Sequence, residues 1–107
     1  MTTKTRRPPS DLPAAPRHLE KIERDLWAEL VCTFDFGDAA SQAILGSALE
    51  AHQRARRCRE TVDRDGEAIK DRFGQTRVHP LLNAERDARA AFLAGMRVLN
   101  LDLGSPK

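Results

Sequence analysis

Residues 38–66 read DAASQAILGSALEAHQRARRCRETVDRDG, and within them Ile44, Ala48, Ala51, Ala55, Cys58 and Val62 recur at spacings of 4, 3, 4, 3 and 4. That rhythm keeps six side chains on one face of an α-helix, the arrangement of a narrow coiled-coil-like seam. Most of them are small, so a partner helix can approach closely, while Leu45 and Leu49 widen the apolar face toward the N-terminal end. Asp38 stands where a carboxylate can accept the open N–H groups of a first turn, and Gly66 suits a stop. The spacing predicts a helix over 39–63.

Downstream, Pro80 suits the first turn of a further helix, where its missing N–H costs nothing. Leu81, Ala84, Ala88, Ala91, Gly95 and Val98 then repeat the small-residue pattern, with Phe92, Met96 and Leu99 beside it. Two such seams predict an antiparallel helical hairpin, 39–63 against 80–98. Between them, Ile69 and Phe73 precede Gly74-Gln75, and Thr76 and Val78 follow, which reads as a short β-hairpin over about 67–79. Upstream, Ile22, Leu26, Leu30 and Phe34 recur every four residues with Trp27 and Val31 alongside, and Glu23, Arg24, Asp25 and Glu29 take much of the remaining surface. A first helix is expected over 19–34, ended by Phe36-Gly37-Asp38. The fold class is mainly α, and the core and oligomer-forming set is expected to include Trp27, Ile44, Leu45, Ala48, Leu49, Phe92 and Met96.

Four of the six prolines, Pro8, Pro9, Pro13 and Pro16, lie beside Lys4, Arg6 and Arg7. With little apolar surface to offset the entropy of ordering, residues 1–16 are expected to form a flexible basic arm. Residues 17–103 then make one helical domain and 104–107 a tail, and in the closing stretch from Asn100 onward Leu101 and Leu103 can dock on the body or on a neighbour. A chain of 107 residues forms one modest core, so association with further copies is expected to supplement its stability. No apolar run spans a bilayer and the N-terminus lacks a secretory apolar segment, so a cytoplasmic protein without membrane contact is expected. Cys32 and Cys58 both fall on apolar helix positions and read as buried free thiols.

The 18 Lys and Arg nearly balance the 16 Asp and Glu, but unevenly along the chain. Residues 20–50 sum to −5, residues 51–77 to +3, and residues 1–17 to +3. Arg54, Arg57 and Arg64 share one helical face, Arg56 and Arg59 flank it, and Lys70, Arg72 and Arg77 continue the basic character into the hairpin. Such a stripe can bind phosphates by releasing counterions, it can meet the acidic segment of a neighbouring subunit, or it can be a solvated face. Lys4, Arg6, Arg7 and Arg17 can track phosphates or enter a minor groove as basic arms do.

His52 reads as a packed or interfacial histidine. Metal binding has little basis, since residues 52 and 58 project roughly 240° apart around a helix and Asp63-x-Asp65-Gly66 has no later Glu to complete a calcium loop. There is no Gly-rich phosphate loop, Gly-x-Ser-x-Gly elbow or His-Glu-x-x-His helix, so no enzyme, cofactor or metal is expected.

Taken in order, Pro16-x-His18-Leu19, Leu26-Trp27, Glu50-Ala51 with Arg54, Gly66 before a hairpin turning at Gly74, His79-Pro80, and Leu99-x-Leu101-Asp102 resemble the phage terminase small-subunit family, over roughly residues 16–103. The resemblance implies a non-catalytic protein in the host cytoplasm that binds double-stranded viral DNA at the packaging start site. It further implies assembly into a homo-oligomeric ring and delivery of the DNA to a large subunit carrying ATPase and nuclease activity. A protein-only helical module docking to the packaging machinery is the other reading. Two features depart from that family: no separate N-terminal helix-turn-helix precedes the body, and Glu20 stands where many relatives begin the first helix with Ser or Asp. Major-groove reading by a recognition helix therefore does not carry over.

Overall fold

A computed structural model describes residues 12–101. Helix α1 spans Lys21–Thr33, α2 Ala39–Asp65 and α3 Leu81–Leu99, with strands β1 (Ala68–Lys70) and β2 (Thr76–Val78) between α2 and α3. The strands pair antiparallel, Ala68 with Val78, Ile69 with Arg77 and Lys70 with Thr76. The fold is the mainly helical one expected, with helix ends moved by one to two residues.

Helix α2 starts as its sequence dictates: the Asp38 carboxylate accepts the Ser41 N–H at 2.9 Å, which holds its pKa below the ordinary 3.8. It ends at Gly66, whose φ of +90° few other residues adopt without strain. At its N-terminal end Leu45 and Leu49 close a core with Leu19, Trp27, Val31, Phe34, Phe36 and Leu99. Ile44, Phe92 and Met96 pack partly buried against it. Phe36, in the stretch expected only to break the helix, is 2% exposed, and its carbonyl accepts from the Gln42 side chain at 2.7 Å.

Toward its C-terminus α2 buries Ala51, Ala55, Cys58 and Val62, the expected seam. Its counterpart on α3 is displaced by one position. Ala91 and Val98 are exposed, and the buried line instead runs through Glu85, Ala88 and Leu99, with Phe92 and Met96 half-buried. Large side chains gain more from leaving water than alanines do, and the small α2 seam gives them room. Gly95 marks a close approach, since a Cβ there would lie 2.8 Å from that of Ala48.

Helix α1 is likewise rotated from expectation. Glu23, Trp27 and Val31 are buried while Ile22 is 51% exposed, so the Ile22, Leu26, Leu30 row turns partly outward. The helix starts at Lys21 because the preceding backbone has other partners: Leu19 N–H donates to Pro16 O, and Gln53 brackets the turn by accepting from Glu20 N–H at 2.6 Å and donating to His18 O at 3.3 Å. Residues 12–16, expected in the arm, lie against the body instead. Leu12 and Ala15 pack on the core, and the Trp27 indole N–H donates to Pro13 O at 3.0 Å. Burial on Trp27 gives this segment the apolar contact that its composition alone does not suggest.

Candidate nucleic-acid interface

Helix α2 carries arginines on three sides, and the packing assigns each side a different task. Arg56 turns toward α1, where its Nε and Nη2 each lie 3.0 Å from a Glu23 oxygen, and it also pairs with Glu20 and Glu60. The Glu23 side chain is 0% exposed and takes a further hydrogen bond from His52 Nδ1 at 2.7 Å. Burial alone raises a carboxyl pKa, but the bonds from Arg56 and His52 outweigh it and hold Glu23 below its ordinary 4.5. The His52 ring meets Phe92 edge-on, centroids 5.0 Å apart, so this histidine is a packed one that orients a carboxylate.

Arg59 turns the other way, toward α3, reaching buried Glu85 at 3.4 Å and Asp63 at 2.8 Å, and Arg89 pairs with Glu85 from the same helix. The acidic −5 segment and part of the basic +3 segment thus meet inside one chain, by way of Glu20 and Glu23. Glu23 was expected on the surface. The available signal was position: Glu23 falls four residues before Trp27 and eight before Val31, on the row that proves buried.

A pH dependence follows. A carboxyl whose pKa is lower in the folded state binds protons more tightly when unfolded, so its stabilisation is complete above the unfolded value and disappears as pH falls through the folded one. Glu23 and Glu20 are both held low, Glu20 by Arg57 and then Arg56. The urea midpoint is expected to fall steadily below about pH 4.5, and Glu23→Gln to flatten that decline. Equal slopes in the two proteins would contradict the assignment.

The third side of α2 faces solvent and bears Arg54, Arg57 and Arg64, the face expected from the spacing. Arg57 holds Glu20 at 2.6 Å and Arg64 holds Asp65 at 3.2 Å, both exposed. Arg54 has no carboxylate partner among the described residues, and neither have Arg17, Lys70 and Arg72. Arg54 and Arg57 line an open groove of about 320 Å³ with His18, Glu50, Gln53 and Cys58. The turn that carries Arg17 and His18 forms one wall of that groove, and Arg24 steadies it by donating to the carbonyls of Pro16 and Arg17 at 3.3 Å. Lys4, Arg6 and Arg7, like Asp102 and Leu103, lie outside the described residues.

The β-hairpin stands at the far end of α2. His79 fixes its base, with one ring nitrogen 3.1 Å from Asp65 Oδ2, the other accepting the Leu81 N–H at 3.1 Å, and its backbone N–H donating to Glu67 O at 2.7 Å. Histidine and Arg64 hold Asp65 below its ordinary pKa of 3.8. At the turn, Asp71 accepts from the N–H groups of Phe73 and Gln75 and from Arg77 Nε at 2.7 Å. Lys70 and Arg72 remain directed to solvent. The hydrogen-bonding work of His79 and Asp71 was not read from the sequence, where Pro80 signalled only the opening of the last helix.

Among the described residues no helix is long and apolar enough to cross a membrane, no three His, Cys, Asp or Glu side chains gather to hold a metal ion, and Cys32 and Cys58 are free thiols. No protein-family model, curated protein or solved structure matches the chain.

Proposed function

We propose that this chain is a non-catalytic, self-associating adaptor for double-stranded DNA, acting as the small subunit of a phage genome-packaging terminase. In that role it gathers viral DNA in the host cytoplasm and hands it to the large ATPase and nuclease subunit. The observation that carries the DNA part is the division of arginines on α2. Those with buried carboxylates to satisfy, Arg56 and Arg59, turn inward, while Arg54 lines an open groove with His18, the chain neighbour of exposed Arg17. The packaging role rests on the succession from Pro16-x-His18-Leu19 to Leu99-x-Leu101-Asp102. Both support a protein that reads phosphate geometry more than base edges.

Copies held together raise the effective concentration of such weak patches, so a ring binds duplex firmly without strong contacts in any one subunit. Arg17→Ala with Arg54→Ala tests this without disturbing the internal ion pairs. The slope of log affinity against log salt for an arbitrary 30-bp duplex is expected to drop by about one per lost phosphate contact, with the native mass of the protein unchanged. If the native mass falls to that of a single chain while duplex binding persists, those arginines join subunits and the protein-only assembly module is the better description.

A further inference from the structure

The most exposed large apolar side chain among the described residues is Phe73, 73% accessible at the turn of the β-hairpin. Its surroundings do not form an apolar patch. Its near neighbours along the turn are Lys70, Arg72, Gln75, Thr76 and Arg77, while Val78, the other exposed apolar residue of the hairpin, lies at the base in register with Ala68. The Arg72 guanidinium sits 5.1 Å over the Phe73 ring, a cation–π arrangement that presents one aromatic face with a positive charge on it. The carboxylate between them, Asp71, is occupied by two backbone N–H groups and Arg77, and among the described residues neither Lys70 nor Arg72 has an ion pair. The turn is also built to hold its shape: Gly74 takes φ of +79°, and Gly74 N–H and Asp71 N–H close hydrogen bonds across it at 3.0 and 2.9 Å.

We infer that the hairpin tip is a DNA wedge: Phe73 enters a base step of the duplex and partly unstacks it, while Lys70 and Arg72 hold the flanking phosphates. The inference rests on the DNA-adaptor reading and adds to it a residue that reads deformability. Apolar wedges inserted at base steps from basic surroundings are a general means of kinking duplex DNA, and steps that unstack easily are then favoured without hydrogen bonds to base edges. An exposed aromatic ring with Arg72 on one face and Lys70 close in sequence suits the apolar interior of a polyanion better than an apolar protein pocket, which would leave Lys70 and Arg72 without partners. Because the tip is already ordered by Asp71, little conformational entropy is lost when it inserts.

The test uses the full chain and 30-bp duplexes carrying 2-aminopurine at a central TA or GC step, with donor and acceptor dyes at the ends. Wild type is expected to raise 2-aminopurine fluorescence and shorten the end-to-end distance, more for the TA duplex. Phe73→Ala is expected to lose both signals and about tenfold in affinity, within the range that base–aromatic contacts contribute. Phe73→Trp restores them, and its own fluorescence is quenched on binding. Lys70→Ala with Arg72→Ala weakens binding but leaves the unstacking signal of the saturated complex. Phe73 is so exposed that the melting temperature of Phe73→Ala should match wild type, which removes misfolding as a cause. Three results overturn the wedge: Phe73→Ala binding and unstacking like wild type, Phe73→Ala reducing the native mass of the oligomer, or a tenfold preference of wild type for single strands. Wild type that ignores duplex altogether at low salt overturns the adaptor reading as well, and so differs from a failure of the wedge alone.

Discussion

Raising salt from about 50 to about 200 mM is expected to weaken duplex binding by about 10³–10⁵-fold, if an assembled particle neutralises roughly six to ten phosphates. The effect is large because each phosphate contact releases condensed counterions, and that entropy gain shrinks as bulk salt rises. The number of contacts also discriminates between cations. Among the described residues Arg17, Arg54, Lys70 and Arg72 have no acid to leave, whereas Arg57, Arg64 and Arg77 must exchange Glu20, Asp65 and Asp71 for a phosphate. These are exposed pairs of the sort that hold each other weakly, so the exchange is cheap, but the freed carboxylate then repels the duplex. Replacing Arg57, Arg64 and Arg77 together by Ala leaves the slope unchanged if the paired arginines keep their acids, and lowers it by about one per arginine if they let go. Titrations by fluorescence anisotropy over that salt range measure it, and a flat response would remove DNA binding through this surface.

The second large effect is on folding. Arg56→Ala is expected to cost about 3–5 kcal/mol, since it leaves the Glu23 charge buried with only His52 to answer it. Against a typical domain stability of about 5–15 kcal/mol that is enough to unfold a large part of the population on mild heating. Arg57→Ala, one residue away, removes an exposed pair and should leave the urea midpoint almost unchanged. The contrast separates a buried partner from a surface one of the same chemistry. Replacing both members, Glu23→Leu with Arg56→Met, should recover most of the loss, because an apolar pair of similar volume avoids desolvating two charges. Urea denaturation of the four proteins checks this; a cost for Arg56→Ala no greater than for Arg57→Ala would mean that Glu23 finds water or another partner.

These two predictions also mark where sequence reading succeeded and where it stopped. The α2 seam was legible because small residues at strict spacing leave few alternatives, and Asp38 and Gly66 bracket it with unambiguous end signals. The hairpin was legible from Gly74 and its flanking Ile69 and Val78. The rotation of α1 and α3 was not, because in both helices two adjacent apolar rows compete: Ile22, Leu26 and Leu30 against Trp27 and Val31, and Ala91 and Val98 against Phe92, Met96 and Leu99. Periodicity cannot choose between rows one residue apart. What chooses is a partner distant in sequence, such as Arg56 holding Glu23 from 33 positions away. The basic residues of the candidate interface were all legible as a stripe, but which of them are committed to carboxylates depends on the side of α2 against which α1 and α3 settle.

The placement of the hairpin has a geometric consequence. Helix α2, 27 residues long and so about 40 Å from end to end, separates the Phe34–Asp38 corner from the β-strands, and α3 returns Leu99 to the corner. Copies arranged flank to flank about a rotation axis therefore form a collar with two unlike rims, one crowned by every β-turn and the other by every helical corner. In the proposed ring such a collar would be directional: a motor or a duplex approaching from one side would meet different chemistry from one approaching from the other.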